Sequence, residues 1–188
     1  MPNPLLLNGI LESAKTGRLY SLAGSYDALA SVTVPSGGLA SITFAGIPTG
    51  YTHLQIRALY TNNAVTTHPQ IQVGNNSIDT GSNYSWHLLY GNGSAAGSAA
   101  ASTQTSGYIS YVANVSYPIA SIIDILDYSS TAKNKTIRYL SGNDGNGSGE
   151  MDFGSVGWFS TSAINTISIL GNAGTFGQYS SFALYGVK

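Results

Sequence analysis

From Ala28 onward, apolar residues come in short runs that alternate every second position, and each run closes on Gly, Asn or Ser. The stretch YTHLQIRALY (51–60) sets the pattern. Leu54, Ile56, Ala58 and Tyr60 share one parity, while Tyr51, His53, Gln55 and Arg57 share the other. This is the period of a strand buried on one face, so His53 and Arg57 read as its wet side rather than as a site. Further strands are expected over 29–34, 39–44, 70–73, 84–90, 107–112, 120–128, 136–140, 153–159, 164–170 and 180–186, the first two joined through PSGG as a hairpin. About eleven short segments with no long helical pattern and no βα alternation predict an all-β fold, an antiparallel jelly-roll-like β-sandwich.

The first 26 residues depart from this pattern. Leu7, Ile10, Leu11 and Ala14 recur at helical spacing among Glu12, Lys15 and Arg18, which predicts an N-terminal arm or short helix over 1–26. Its apolar stripe is expected to dock on a partner chain, with the β-sandwich domain occupying 27–188. Two stretches rich in small residues, 91–107 and 141–152, read as long exposed loops. SIIDILDY (121–128) is apolar on both parities apart from Asp124 and Asp127, the mark of a central strand covered on both sides.

Only 8% of residues are charged, and seven basic against eight acidic side chains leave a net charge of −1. No basic field exists to hold nucleic acid or an anionic membrane. A surface of hydroxyls and amides repels its own copies weakly, which favours lateral association. The chain has no cysteine, so disulfides, thiol catalysis and cysteine-based zinc sites are excluded. Its first residues lack a basic stretch followed by an unbroken apolar run, so neither a signal peptide nor a membrane span is expected there. On that basis the Asn-x-Ser/Thr triplets at Asn75, Asn83, Asn92, Asn114, Asn134 and Asn146 read as products of composition.

The most suggestive chemical pattern is DGNGSGEMD, in which Asp144, Asn146, Ser148, Glu150 and Asp152 recur every second residue with Gly149 at the sixth place. It matches the first half of a calcium loop, but Ser155 stands where a bidentate Glu is needed and no helix flanks it, so a Gly/Asn hairpin loop is expected. His53, His68 and His87 fall on separate segments without metal-ligand spacing. Asp124 and Asp127, three apart in a strand, point to opposite faces and make no hydrolytic dyad. No nucleophile elbow or phosphate loop occurs. Catalytic residues, cofactors and metals are therefore not expected. Of the 13 tyrosines, Tyr51, Tyr108 and Tyr179 are expected to face outward.

Three stretches, SVTVPSGGLASITFAGIPTGYTHLQIR, SWHLLYGNGSAAG and AINTISILGNAGTFGQYSSFALYGVK, together resemble a group of small virion-associated proteins of tailed bacteriophages over residues 31–188. The resemblance implies a non-enzymatic structural protein on the virion surface, assembled in the host cytoplasm, with capsid decoration or cementing as its role. The partners so implied are the major capsid or other virion proteins and two further copies in a homotrimer. The alternative is a tail-tip or fibre module that binds a host surface glycan through exposed Tyr and Trp side chains and loop amides.

Overall fold

A computed structural model describes residues 25–112 and 116–188. Its regular elements are thirteen strands: β1 (Tyr26–Thr33), β2 (Ser41–Ala45), β3 (His53–Tyr60), β4 (Gln70–Asn75), β5 (Ser77–Ile78), β6 (Tyr84–Gly91), β7 (Ala96–Gln104), β8 (Gly107–Tyr108), β9 (Ile119–Leu126), β10 (Lys135–Asp144), β11 (Gly149–Trp158), β12 (Thr166–Leu170) and β13 (Ser181–Val187). They form two antiparallel sheets. The larger has eight strands in the order β1-β13-β3-β9-β10-β11-β6-β7, and the smaller runs β2-β12-β4-β5 with β8 also paired to β4. The fold is an all-β sandwich, as the alternation predicts.

The inward parity of each strand makes the core. Leu54 and Ile56 of β3, Ile123 and Ile125 of β9, Ile137 of β10 and Val156 of β11 are buried in one cluster with Ile42, Phe44, Ile71, Val73, Ile167 and Ile169 of the small sheet. Each such side chain contributes about 1.5–3 kcal/mol on burial. A one-residue slip of any strand would expose its whole inward set, which fixes the register. Gly154 lies opposite Tyr139, and a Cβ there would stand 2.3 Å from the ring, so the glycine is what lets the tyrosine lie flat on β11.

YTHLQIRALY has the expected register: Leu54, Ile56, Ala58 and Tyr60 are buried and Arg57 is exposed. The other parity is less wet than expected. The Asp127 N–H donates to His53 Nδ1 at 2.9 Å. Gln55 is buried beneath its neighbours, donating to Asp124 Oδ1 at 2.8 Å and accepting from Arg57 Nε at 2.7 Å.

Several local expectations are corrected. The strands flanking PSGG do not form a hairpin, because β1 pairs with β13 and β2 with β12, so the turn carries the chain from one sheet to the other. The stretch 91–107 is mostly strand: β7 pairs with β6 along its length, since a ladder needs only main-chain groups and side chains small enough to lie flat. The hairpin expected in 141–152 is present but tighter than a long loop, since β10 and β11 pair as far as Asp144 and Gly149 and the turn spans only 145–148. Asn146 and Gly147 there have φ of 59° and 97°, as a type I′ turn requires. Only Gly107 and Tyr108 of the strand expected at 107–112 join a ladder, with Val112 forming an isolated bridge to Thr67. β9 does lie centrally in the large sheet, but its outward Ile122 is 45% exposed. Among the described residues nothing covers that face.

Candidate functional site

The outer face of the large sheet carries the main surface feature. Cross-strand register places Leu89 of β6 opposite Phe153 of β11, Phe153 opposite Leu140 of β10, and Leu140 opposite Ile122 of β9. These four are 60%, 54%, 48% and 45% exposed. With strands about 4.8 Å apart they form a row roughly 15 Å long. Met151 and Leu59, also exposed, flank it. Met151 folds over Gly142, where a Cβ would meet its sulfur at 2.2 Å. A shallow groove of about 690 Å³ runs beside the row between Leu89, Phe153 and the Ala/Ser surface of β7.

Charge borders the row on one side. Asp124 and Arg138 are cross-strand neighbours on the outer face. Asp124 accepts from Gln55, but Arg138 is exposed and has no ion pair or hydrogen-bond partner among the described residues. Arg57, at the end of the row, is by contrast fully engaged. Its guanidinium lies 4.9 Å from the Tyr26 ring centre and 5.1 Å from that of Tyr185, in addition to its bond to Gln55.

A second feature is a cleft of about 300 Å³ beside β8, walled by His68, Trp86, Tyr90, Tyr108, Tyr111 and Glu150. Tyr108 stacks between His68 and Trp86, with ring centres 4.2 and 4.3 Å away. The imidazole of His68 is pushed toward neutrality by burial, partly offset by its contact with the Ser110 carbonyl. At one end of the cleft, Glu150 and Asp152 share the inward parity of β11, near enough for each to shift the other's pKa. Asp152 is buried, and desolvation reinforced by the Glu150 charge raises its pKa to about 7, partly offset by the nearby Tyr111 backbone. Its Oδ1, the Tyr139 hydroxyl and Asn143 Nδ2 have no hydrogen-bond partners among the described residues.

The sequence-expected residues are thus scattered. Leu7, Ile10, Leu11 and Ala14 lie outside the described residues. His53 is on β3, His68 lies in the cleft wall and His87 is on the outer face of β6. Asp124 is on the outer face, and Asp127 sits past the end of β9, paired with Lys133. Asp144 caps the hairpin turn by accepting the Asn146 N–H at 2.9 Å. Tyr179 faces outward at 78% exposure, but Tyr51 packs on the core and Tyr108 is held in its stack. Both tryptophans are buried, Trp158 donating its Nε1–H to Asp79. The glycan alternative therefore lacks the exposed Trp it assumed.

The Glu150–Asp152 pair was missed because its segment reads as a loop. The signal lay in parity: Trp158, Val156 and Gly154 face inward, and stepping back by two reaches Asp152 and then Glu150.

No family model matches the chain, and no curated protein or solved structure is significantly similar to it.

Proposed function

We propose that this is a non-enzymatic structural protein of a tailed-bacteriophage virion, a capsid decoration or cement protein that holds protein neighbours through the outer face of its large sheet. The observation that carries the proposal is the exposed row Leu89, Phe153, Leu140 and Ile122 on a nearly uncharged domain. Apolar patches of this size mark contacts with other proteins. Strand order adds support for the jelly-roll reading. The orders β1-β13-β3-β9 in one sheet and β2-β12-β4-β8 in the other are those expected of two four-stranded jelly-roll halves, with β10, β11, β6 and β7 added on one side. The carboxyl pair fits a structural role as well. Glycoside hydrolysis needs two carboxyls about 5 Å or more apart with the scissile bond between them, whereas Asp152 is buried, with Glu150 two residues away on the same strand.

Immunogold labelling or cryo-EM of the particle tests the proposal. Density on the head supports it, and density confined to the tail favours the fibre alternative. The specific observation behind that alternative is the aromatic cleft, and a glycan array that responds to Tyr111→Ala would shift the assignment to it.

A further inference from the structure

The outer row has the character of a surface that another chain covers. β9 is written IASIIDIL, apolar on both parities, as strands buried on both faces are. Its inward residues Ile119, Ile123 and Ile125 are fully buried, yet Ile122, at the centre of an eight-stranded sheet, is left exposed. The same holds for Leu140 on β10 and Phe153 on β11, which sit beside it in register.

We propose that this face docks a second copy of the same chain, packed sheet to sheet with Leu89, Phe153, Leu140 and Ile122 at the centre of the contact. The inference rests on the reading of this face as a protein contact and names its occupant. Three observations select a second copy. The first is area. Six side chains exposed to about half their extent offer on the order of 500 Å² per copy, and the Ala, Gly and Ser residues around them bring this toward the roughly 800 Å² per partner of a standard interface. The second is self-complementary charge. Arg138 has no partner among the described residues and stands beside Asp124, so an arrangement that lays Arg138 of one copy over Asp124 of the other pairs both charges, as contact between like surfaces requires. The third is relief. The flank formed by β7, AGSAAASTQ, is flat and uncharged, so nothing props the two sheets apart.

The test uses the full chain and its lack of cysteine. Sedimentation velocity and light scattering over a micromolar concentration series should give more than one chain mass for the wild type. Leu140→Asp should raise the dissociation constant more than about tenfold while keeping the β-type circular dichroism spectrum. Leu140→Thr serves as a second variant should the aspartate prevent folding. Arg138→Asp should weaken association, and adding Asp124→Arg should restore it. Under mild oxidation Leu140→Cys should form disulfide-linked dimers faster than the off-face control Tyr179→Cys.

A wild type that stays monomeric, or an oligomer indifferent to both Leu140 variants, overturns the proposal. So does a monomer in which Leu140→Cys is shielded from thiol reagents, which would assign the face to the chain's own residues 1–24. Particle labelling is independent of these results. A monomer that still decorates phage heads ends the self-docking proposal and leaves the structural role standing.

Discussion

The two faces of the large sheet are made of the same kinds of residue and meet opposite surroundings. On the inner face Ile56, Ile123 and Ile137 are buried in the core cluster shared with the small sheet; on the outer face Ile122, Leu140 and Phe153 stand in the open, in register with one another. The comparison separates what apolar residues do for folding from what they do for association. Inner residues are required for the chain to fold at all. Outer ones, left about half exposed among the described residues, add far less to the fold than the inner ones do, so their presence points to a contact made after folding.

The largest difference between the faces should come from one charge placed on the inner side. Ile56→Asp should abolish cooperative unfolding or lower stability by more than about 4 kcal/mol, because it leaves an unpaired carboxylate in the core. A variant that folds with a normal urea midpoint would mean that the register of β3 is wrong.

Asp152 is the natural version of that experiment, a carboxyl on the inner face. Folded, it keeps its proton up to about pH 7, against 3.8 for an ordinary aspartate. The folded chain therefore binds more protons than the unfolded one between those values. The stability this group contributes is complete below about pH 4 and is lost as pH rises toward 7. Wild-type stability should fall over that window, with Glu150, also raised by burial, adding to the slope. Asp152→Asn should flatten the slope and stabilise the protein at pH 8 by on the order of 2–4 kcal/mol. An unchanged pH profile would show that Asp152 ionises freely.

Asp79, near the other end of β11, sharpens the contrast. It accepts from Trp158 Nε1, Asn83 Nδ2 and the Gly81 N–H at 2.8–2.9 Å, and these bonds outweigh its partial burial and hold its pKa below the usual range. Asp79→Ala should lower stability by about 1–3 kcal/mol, since it strips the acceptor from a buried indole N–H. Thermal melts at neutral pH measure this loss.

The smallest effect belongs to the outer face. Ile122→Thr, read in dilute solution by urea unfolding, should change stability by no more than about 0.5 kcal/mol. A loss near that of a core substitution would mean that the face is covered within the single chain.

Alternation made most of the fold legible. It gave the register of β3 and the approximate positions of β4, β6, β9, β12 and β13, because a strand with one buried face carries its burial pattern in its letters. It failed at β7, whose Ala, Gly and Ser residues have no apolar parity to show and whose place is set by main-chain pairing alone. It failed also at the β1–PSGG–β2 corner, since sequence does not say whether a strand pairs with its neighbour or with one far along the chain. The outer row was half visible. The two-sided apolar character of β9 predicted a cover on both faces, but the alignment of Leu89, Phe153 and Leu140 with Ile122 depends on cross-strand register, which no single segment encodes.

The place of β13 also governs when the molecule can become whole. β13 runs between β1 and β3 and pairs with both, so neither can close against the other before it arrives. The Lys188–Asp27 ion pair beside it joins positions 161 apart. Loop closure over such a distance is slow, and a fold dominated by contacts of this kind is expected to form in milliseconds to seconds rather than microseconds. During synthesis the edges of β1 and β3 wait, unpaired, until β13 has left the ribosome, a window in which neighbouring nascent chains can pair with them instead. Yield in the cell should therefore depend on how crowded those chains are as well as on the stability of the finished sandwich.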